Sequence, residues 1–306
     1  MKFINTAEAH VLYIADDAAV REYSGANPAT LSEPFNHTGN IVMMLYVAFL
    51  VVINFLMFKK TPTLQKKTNK ILMTALSYAD VVPWILRLSL GIALIGSGIG
   101  GWLVTPVLSG FDIFSAAQMA FGFLLLSGFL TTFAILGANL IFLMALSQSF
   151  YVLGSLEFLA MSAALLLLDA RRPGIDHLLG IPSFYYNKWK KWIPVILRIG
   201  VGTSFIFLAV YEKFMNPDLA AYVVEITNLQ QVINVSPAMW VLGTGIVEFL
   251  LGAFLLFGFY TRAVAAITTI VLALSFFYFG EEVTSHITLF GSLSALFILG
   301  GRKVKF

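Results

Sequence analysis

The chain has 306 residues, of which 59% are hydrophobic and 11% are charged, with a formal charge of +3 and no cysteine. This composition, with a mean hydropathy of +0.87, predicts a polytopic membrane protein rather than a soluble enzyme. The lack of cysteine excludes disulfides, cysteine-ligated iron–sulfur clusters, thiol redox catalysis and c-type haem attachment.

Residues 1–40 form the long hydrophilic segment of the chain, and we expect them to lie outside the cell. They lack a positively charged start followed by an apolar core, so no cleavable signal peptide is predicted. A first apolar span follows at residues 41–58. It ends at a loop, residues 59–70, that contains five lysines. Because lysine-rich loops mark the cytoplasmic side of a membrane, this loop sets the orientation.

The rest of the chain predicts two groups of four spans. The first group lies within residues 71–172, with spans at 81–101, 113–130, 134–150 and 151–168. A cytoplasmic linker at 173–192 precedes the second group, residues 193–306, with spans at 193–211, 237–259, 263–280 and 283–300. With about nine spans, the N-terminus lies outside the plasma membrane, the C-terminus lies in the cytoplasm, and all basic clusters face the cytoplasm.

An internal repeat relates the two groups. Residues 82–91 (VPWILRLSLG) align with residues 193–202 (IPVILRIGVG), and residues 118–132 align with residues 248–262. Each copy has an even number of spans, so both copies enter the membrane from the same side. We therefore expect an all-α protein with two parallel-repeated four-helix bundles, preceded by one N-terminal span.

The two copies differ in their polar residues. The second copy has Glu248 and Arg262 where the first has Gln118 and Thr132. We infer that the second bundle keeps a polar site and that the first is a divergent copy.

Glu248 lies near the middle of the apolar helix at residues 240–262. A carboxylate at bilayer depth costs about 3 kcal/mol on insertion scales and usually faces protein or a cavity. Gly252 lies one turn further on the same face, where it lets a neighbouring helix approach closely. Two interpretations stay open: a proton-exchanging or ligand-binding carboxylate, and a structural hydrogen bond between helices.

His286 lies near the start of the last span, four residues after Glu282 on the same helix face. Imidazole titrates near neutral pH, so Glu248, His286 and Arg262 are candidates to handle protons for a quinone. The alternative is a histidine hydrogen-bonded between helices. The other histidines all lie outside the predicted spans: His10, His37 and His177. No axial haem pair or metal site is therefore predicted.

Other polar residues lie on the first helix of the second copy. Arg198, near the cytoplasmic end, is either a counter-ion to a buried acid or a side chain that reaches the headgroups. Glu212 and Lys213 lie at the outer end, about 21 Å from Arg198. They either pair locally or bind an anionic or quinone headgroup. The candidate quinone-binding residues are therefore Arg198, Glu212, Lys213 and Glu282.

An amphipathic helix is predicted in the outer segment that follows. Residues 216–218 (Asn-Pro-Asp) are a helix-start signal. The apolar residues after them recur at helical spacing: Leu219, Tyr222, Val223, Ile226 and Leu229. We expect this helix to lie on the outer membrane surface as a lid over the second bundle. Docking onto a partner subunit is the alternative.

Residues 197–303 resemble the DoxX family of small four-helix membrane proteins, related to the DoxD subunit of archaeal thiosulfate:quinone oxidoreductase. The matching features are the LRxGxG motif that starts at Leu197, the Glu212-Lys213-Phe214 helix end and the pattern E-x3-G…G-x3-R from Glu248 to Arg262. The resemblance implies a four-helix fold and a place in an oxidation or respiratory assembly. It does not fix a reaction.

Three functions stay open. The protein is an accessory or anchoring membrane subunit of a redox or respiratory assembly, a quinone-linked oxidoreductase that uses Glu248 and His286 for proton transfer, or a small-molecule transporter. We favour the first, because few intramembrane charges, a parallel repeat and a long outer N-terminus are typical of an assembled subunit. The expected partners are the lipid bilayer, other membrane subunits and a non-covalently bound quinone. No covalently bound cofactor, metal or nucleic acid is expected.

Overall fold

The computed structural model describes residues 17–46, 49, 73–170, 172–182, 187–280 and 283–300. This part of the chain is helical, apart from connecting turns and an isolated bridge between Trp102 and Ser109. The first group of long helices comprises α3 (Val82–Ile99), α4 (Asp112–Ser127), α5 (Thr131–Gln148) and α6 (Leu156–Leu167). The second group comprises α8 (Ile193–Leu208), α10 (Pro237–Phe257), α11 (Thr261–Phe279) and α12 (Val283–Leu299).

Shorter helices connect and precede these groups: α1 (Asp17–Tyr23), α2 (Pro28–Ser32), α7 (Ile175–Leu178) and α9 (Pro217–Ile226). Short 3₁₀ segments precede α3, α6 and α8, at Ala79–Val81, Phe150–Ser155 and Asn187–Trp192. A π-helical segment, Ala209–Phe214, continues α8.

Six helical stretches in the described part are long and apolar enough to cross a membrane. They are Ala79–Ile99, Thr131–Gln148, Phe150–Leu167, Trp189–Phe214, Pro237–Phe257 and Thr261–Phe279. Helix α4 and the stretch His286–Leu299 are apolar but shorter than 18 residues. The protein is therefore an all-helical membrane protein in its described part, which contains six candidate spans. The predicted count of nine stays a prediction. The predicted span at residues 41–58 lies mostly outside the described residues.

Each group of four long helices closes into a ring. In the first group α3 packs on α4, α4 on α5, α5 on α6 and α6 on α3. In the second group α8 packs on α10, α10 on α11, α11 on α12 and α12 on α8. The groups meet through α6 with α8, α3 with α12 and α6 with α12. One hydrophobic core, with Leu86 and Phe142 from the first group and Leu197 and Leu293 from the second, runs through both.

Glycines allow the closest helix approaches. A Cβ placed on Gly122 of α4 would lie 2.7 Å from the carbonyl oxygen of Gly91 on α3. A Cβ placed on Gly252 of α10 would lie 2.8 Å from the carbonyl oxygen of Gly202 on α8. Because these distances exclude any side chain, glycine is what brings the two backbones together in both pairs.

The N-terminal clasp, residues 17–36, docks on α9 and α10. Val20 is buried with Leu219, and the ring of Tyr23 stacks on that of Tyr222 at a centroid distance of 4.8 Å. The carboxylate of Asp218 accepts hydrogen bonds from the clasp, among them one from an amide nitrogen at 2.7 Å. The predicted amphipathic helix is thus present as α9, and the chain's own N-terminal clasp packs against it.

Two ends of the helix bundle are named for reference. The α9 end is where α8 ends and α10 begins, and the N-terminal clasp and α9 lie there. The basic end is where α8 begins, after a segment that carries Lys190 and Lys191. The polar residues of the candidate site divide between these two ends.

Candidate functional site

A buried carboxylate joins the two groups of helices near the α9 end. Glu157 is 4% exposed and lies in the first turn of α6, where the helix dipole favours an acidic side chain. One carboxylate oxygen accepts a hydrogen bond from Ser204 Oγ of α8 at 2.8 Å, and the other accepts one from Thr288 Oγ1 of α12 at 2.9 Å. Ser204 Oγ also lies 3.0 Å from the carbonyl oxygen of Gly200. Glu157 thus links three helices at once.

A second buried carboxylate, Glu212, belongs to the π-helical segment that continues α8. It is 2% exposed, and it accepts hydrogen bonds from the phenol of Tyr151 and, at 3.0 Å, from Lys213 Nζ. The rings of Phe207 and Tyr211 stack on each other at 5.5 Å, and each meets the Tyr151 ring edge to face. We call these five residues the Tyr151 cluster. π-helical turns often occur at functional sites.

The predicted pairing of Glu212 with Lys213 is therefore present, and Tyr151 is a partner that the sequence analysis did not identify. The sequence analysis did not select Glu157 as a site residue. The feature that indicated Glu248, a carboxylate inside a predicted span, is also present at Glu157. The sequence spacing does not show, however, which helices meet at this residue.

Glu248 lies half-buried on the face of α10 that packs on α8. On one side, one turn away, a Cβ placed on Gly245 would lie 3.0 Å from the Cβ of Lys213. On the other side, one turn away, Gly252 meets α8 backbone to backbone. Glu248 is about 16 Å from the start of its helix, at 1.5 Å per residue.

His286 lies on α12, only about 5 Å from the start of that helix. It is 2% exposed, and its ring centroid lies 6.4 Å from that of Phe276 on α11. Helices α10 and α12 each pack on α8 and α11, so they lie on opposite sides of the ring. The structure therefore places Glu248 and His286 on different helices and at different depths.

Arg262 lies at the basic end, at the start of α11. Its Nε and Nη2 donate hydrogen bonds to the carbonyl oxygens of Phe297 and Ile298, at 3.0 and 2.9 Å. These carbonyls belong to the last turn of α12, where a cation is favourable. His286 lies about 17 Å from these two carbonyl groups along α12. Arg262 is thus not placed beside His286.

Arg198 lies against the turn between α10 and α11. A Cβ placed on Gly258 would lie 1.9 Å from Arg198 Nη1, and one placed on Gly128 would lie 2.8 Å from Arg87 Nη1. Arg87 donates a hydrogen bond to the carbonyl oxygen of Ala170 at 2.7 Å. The remaining candidate, Glu282, lies outside the described residues.

A third buried carboxylate, Asp176, was not identified from the sequence. It belongs to α7, in the linker, and is 2% exposed. It accepts hydrogen bonds from the backbone N–H of Leu130 at 2.7 Å and from the N–H and Oγ1 of Thr131, both at 2.8 Å. It thus caps the N-terminus of α5. A single aspartate in a basic linker gives no local signal of this contact.

In the described part of the chain, no group of three or more His, Cys, Asp or Glu residues is arranged to hold a metal ion. A family model described as DoxX matches residues 193–281. Searches of curated proteins and of solved structures gave no match. The matched region runs from the start of α8 past the end of α11 and contains Glu212, Lys213, Glu248 and Arg262. The resemblance seen in the sequence is thereby confirmed for residues 193–281, and this part of the chain is similar to the DoxX family.

Proposed function

We propose that the protein is an accessory integral membrane subunit that anchors or stabilises a membrane redox or respiratory assembly. The observation that carries this proposal is that the buried charged side chains bind other groups of the protein itself. The two carboxylate oxygens of Glu157 bind hydroxyls of two other helices, Glu212 binds a phenol and an ammonium group, and Arg262 binds the end of α12. Such bonds hold a helical bundle together. The link to a redox assembly rests on the similarity of residues 193–281 to the DoxX family.

An apolar surface is available for lipid and for partner subunits. Only 33% of α10 and 17% of α11 is buried inside the protein, against 61% of the span that contains α3. Large side chains such as Leu274 and Phe277 stand out from α11, at 67% and 79% exposed. Contact with the bilayer follows from this surface, and we propose that a partner subunit covers part of it.

A second candidate function, a quinone-linked oxidoreductase, is favoured by the Tyr151 cluster. A quinone headgroup is a flat ring with two carbonyl acceptors. The cluster offers three aromatic rings for stacking, and the ammonium group of Lys213 as a hydrogen-bond donor. In this alternative Glu248 and His286 transfer the protons.

We further propose that the two groups are tandem copies related by a pseudo-two-fold axis along the membrane normal. The close pair Gly91 and Gly122 recurs as Gly202 and Gly252. In addition, the last helix of each group packs on the first helix of the other, as in a two-fold arrangement. With residues 41–58 as a ninth span, the N-terminus would lie outside the plasma membrane and the C-terminus in the cytoplasm.

The first experiment is native purification in mild detergent, with mass spectrometry of the co-purifying chains and extracted small molecules. Stoichiometric partner chains support the accessory role. A protein that purifies alone with bound quinone supports the oxidoreductase, provided that Lys213→Met, which keeps a long side chain and removes the ammonium donor, loses the quinone. A protein that purifies with neither contradicts both candidates. Proton-driven uptake into liposomes that Glu248→Gln abolishes would point to transport instead.

A further inference from the structure

Two turns at the basic end have the same backbone conformation. One joins α4 to α5 and the other joins α10 to α11. Both contain a left-handed glycine, Gly128 with φ 66° and Gly258 with φ 77°, and then a left-handed residue with a side chain, Leu130 with φ 46° and Tyr260 with φ 47°. In both, the residue after the glycine donates its N–H to the carbonyl oxygen five residues earlier, at 3.0 and 2.9 Å.

The first of these turns holds a carboxylate. The backbone N–H of Asp176 donates a hydrogen bond to the carbonyl oxygen of Gly128 at 2.8 Å, which brings its side chain to the start of α5. There the carboxylate accepts bonds from two backbone N–H groups and from Thr131 Oγ1. The guanidinium of Arg87 lies against the same glycine. This combination of helix N-terminus, hydroxyl and guanidinium is well suited to an anion.

The second turn presents the same chemical groups. Thr261 stands where Thr131 stands, and the guanidinium of Arg198 lies against Gly258 as that of Arg87 lies against Gly128. Thr261 is 4% exposed, and its Oγ1 has no hydrogen-bond partner among the residues that the structure describes. A buried polar atom of this kind calls for a specific explanation, because an unmade hydrogen bond is costly.

We propose that the N-terminus of α11 binds an oxyanion, a carboxylate or a phosphate group, in the position that the Asp176 carboxylate takes at α5. The hydroxyl and N–H of Thr261 donate hydrogen bonds to the anion, and Arg198 supplies positive charge. Phe257 and Phe259, which are 68% and 57% exposed, flank the turn, and exposed aromatic rings are enriched at the membrane interface. The anion is therefore either the phosphate of an anionic phospholipid or a soluble oxyanion. This inference is independent of the proposed function.

The test uses the full-length protein in detergent, with phosphatidylglycerol titrated in and the bound lipids counted by native mass spectrometry. Thr261→Val keeps the side-chain shape and removes the hydroxyl, and we expect about a tenfold loss of affinity for the tightest-bound lipid. Thr131→Val is the matched control, because its hydroxyl already bonds the chain's own carboxylate. Thr261→Ser, which restores a hydroxyl, should recover the binding. This recovery separates a lost ligand bond from a folding defect.

Further arms identify the source of the anion. If phosphatidylglycerol binds more tightly than phosphatidylcholine, the ligand is a lipid headgroup. If inorganic phosphate raises the melting temperature of the wild type but not of Thr261→Val, and the two lipids bind equally, the ligand is a soluble oxyanion.

Three outcomes would overturn the proposal. One is equal loss of binding in Thr261→Val and Thr131→Val. Another is that Thr261→Val loses neither lipid affinity nor the rise in melting temperature with inorganic phosphate. The third is binding that occurs only in a chain shortened by residues 303–306, since the protein's own terminal segment would then be the occupant.

Discussion

The strongest test of the fold concerns the bond between Glu157 and Thr288, which connects the two groups of helices. Glu157→Leu removes the acceptor for two interhelical hydrogen bonds, and Thr288→Val removes one of the donors. Interhelical hydrogen bonds in membrane proteins contribute about 0.6 kcal/mol on average and at most about 1.7 kcal/mol. We therefore expect Glu157→Leu to cost about 1–3 kcal/mol, since its partners lie among buried groups.

The assay is reversible unfolding in mixed micelles of a mild detergent and dodecyl sulfate, for the two single variants and the double variant. The double variant should lose less than the sum of the single losses, with a coupling energy of about 1 kcal/mol. Thr269→Val serves as the control, because the Oγ1 of Thr269 donates only within its own helix, to the carbonyl oxygen of Ala265 at 2.8 Å. Its effect should add to that of Glu157→Leu.

A coupling energy between Glu157 and Thr288 of less than about 0.3 kcal/mol would refute the reasoning, since independent sites add within that limit. The carboxylate would then be held in the second group by Ser204 of α8 alone. The contact between α6 and α12 would not be a link between the groups.

Three further predictions concern packing, capping and the clasp. Gly202→Ala should destabilise the protein by about 1–3 kcal/mol in the same unfolding assay, because the new Cβ would lie 2.7 Å from a backbone carbonyl of α10. Gly243→Ala, with nothing within 4 Å, should have little effect, and equal effects would contradict the packing. Arg262→Gln should lower stability by about 1–3 kcal/mol, since it removes a charged donor pair from the end of α12. Arg262→Lys should recover part of that loss, and no recovery would argue against a role for the charge. Asp218→Ala should speed protease cleavage within residues 17–36 without lowering the melting temperature of the bundle, because it removes acceptors that hold the clasp. Unchanged cleavage would mean that apolar contacts alone hold it.

Helix positions were predictable because their signals are local. The predicted spans at 237–259 and 263–280 correspond to Pro237–Phe257 and Thr261–Phe279. Their ends differ by about two residues, since left-handed glycines at 258 and 280 end these helices. The Glu212–Lys213 pair was predictable for the same reason, as its members are neighbours in the chain.

Contacts between distant residues were not predictable in this way. Apolar periodicity indicates how deep a residue lies, but not which helix it meets. Glu157 and Thr288 are 131 residues apart, and nothing in either span points to the other. For the same reason the sequence analysis grouped Glu248 with His286, although α10 and α12 lie on opposite sides of the ring. Their roles in proton transfer stay predictions.

The N-terminal clasp has a consequence for biosynthesis. Asn27 binds Asp218, which follows it by 191 residues. At a translation rate of about 5–20 residues per second, Asp218 is made roughly 10–40 s after Asn27. During that interval the clasp has no docking surface, and the first group of helices is synthesised and inserted. Closing the clasp is therefore among the last steps of assembly, and a nascent chain released before α9 is complete leaves residues 17–36 undocked.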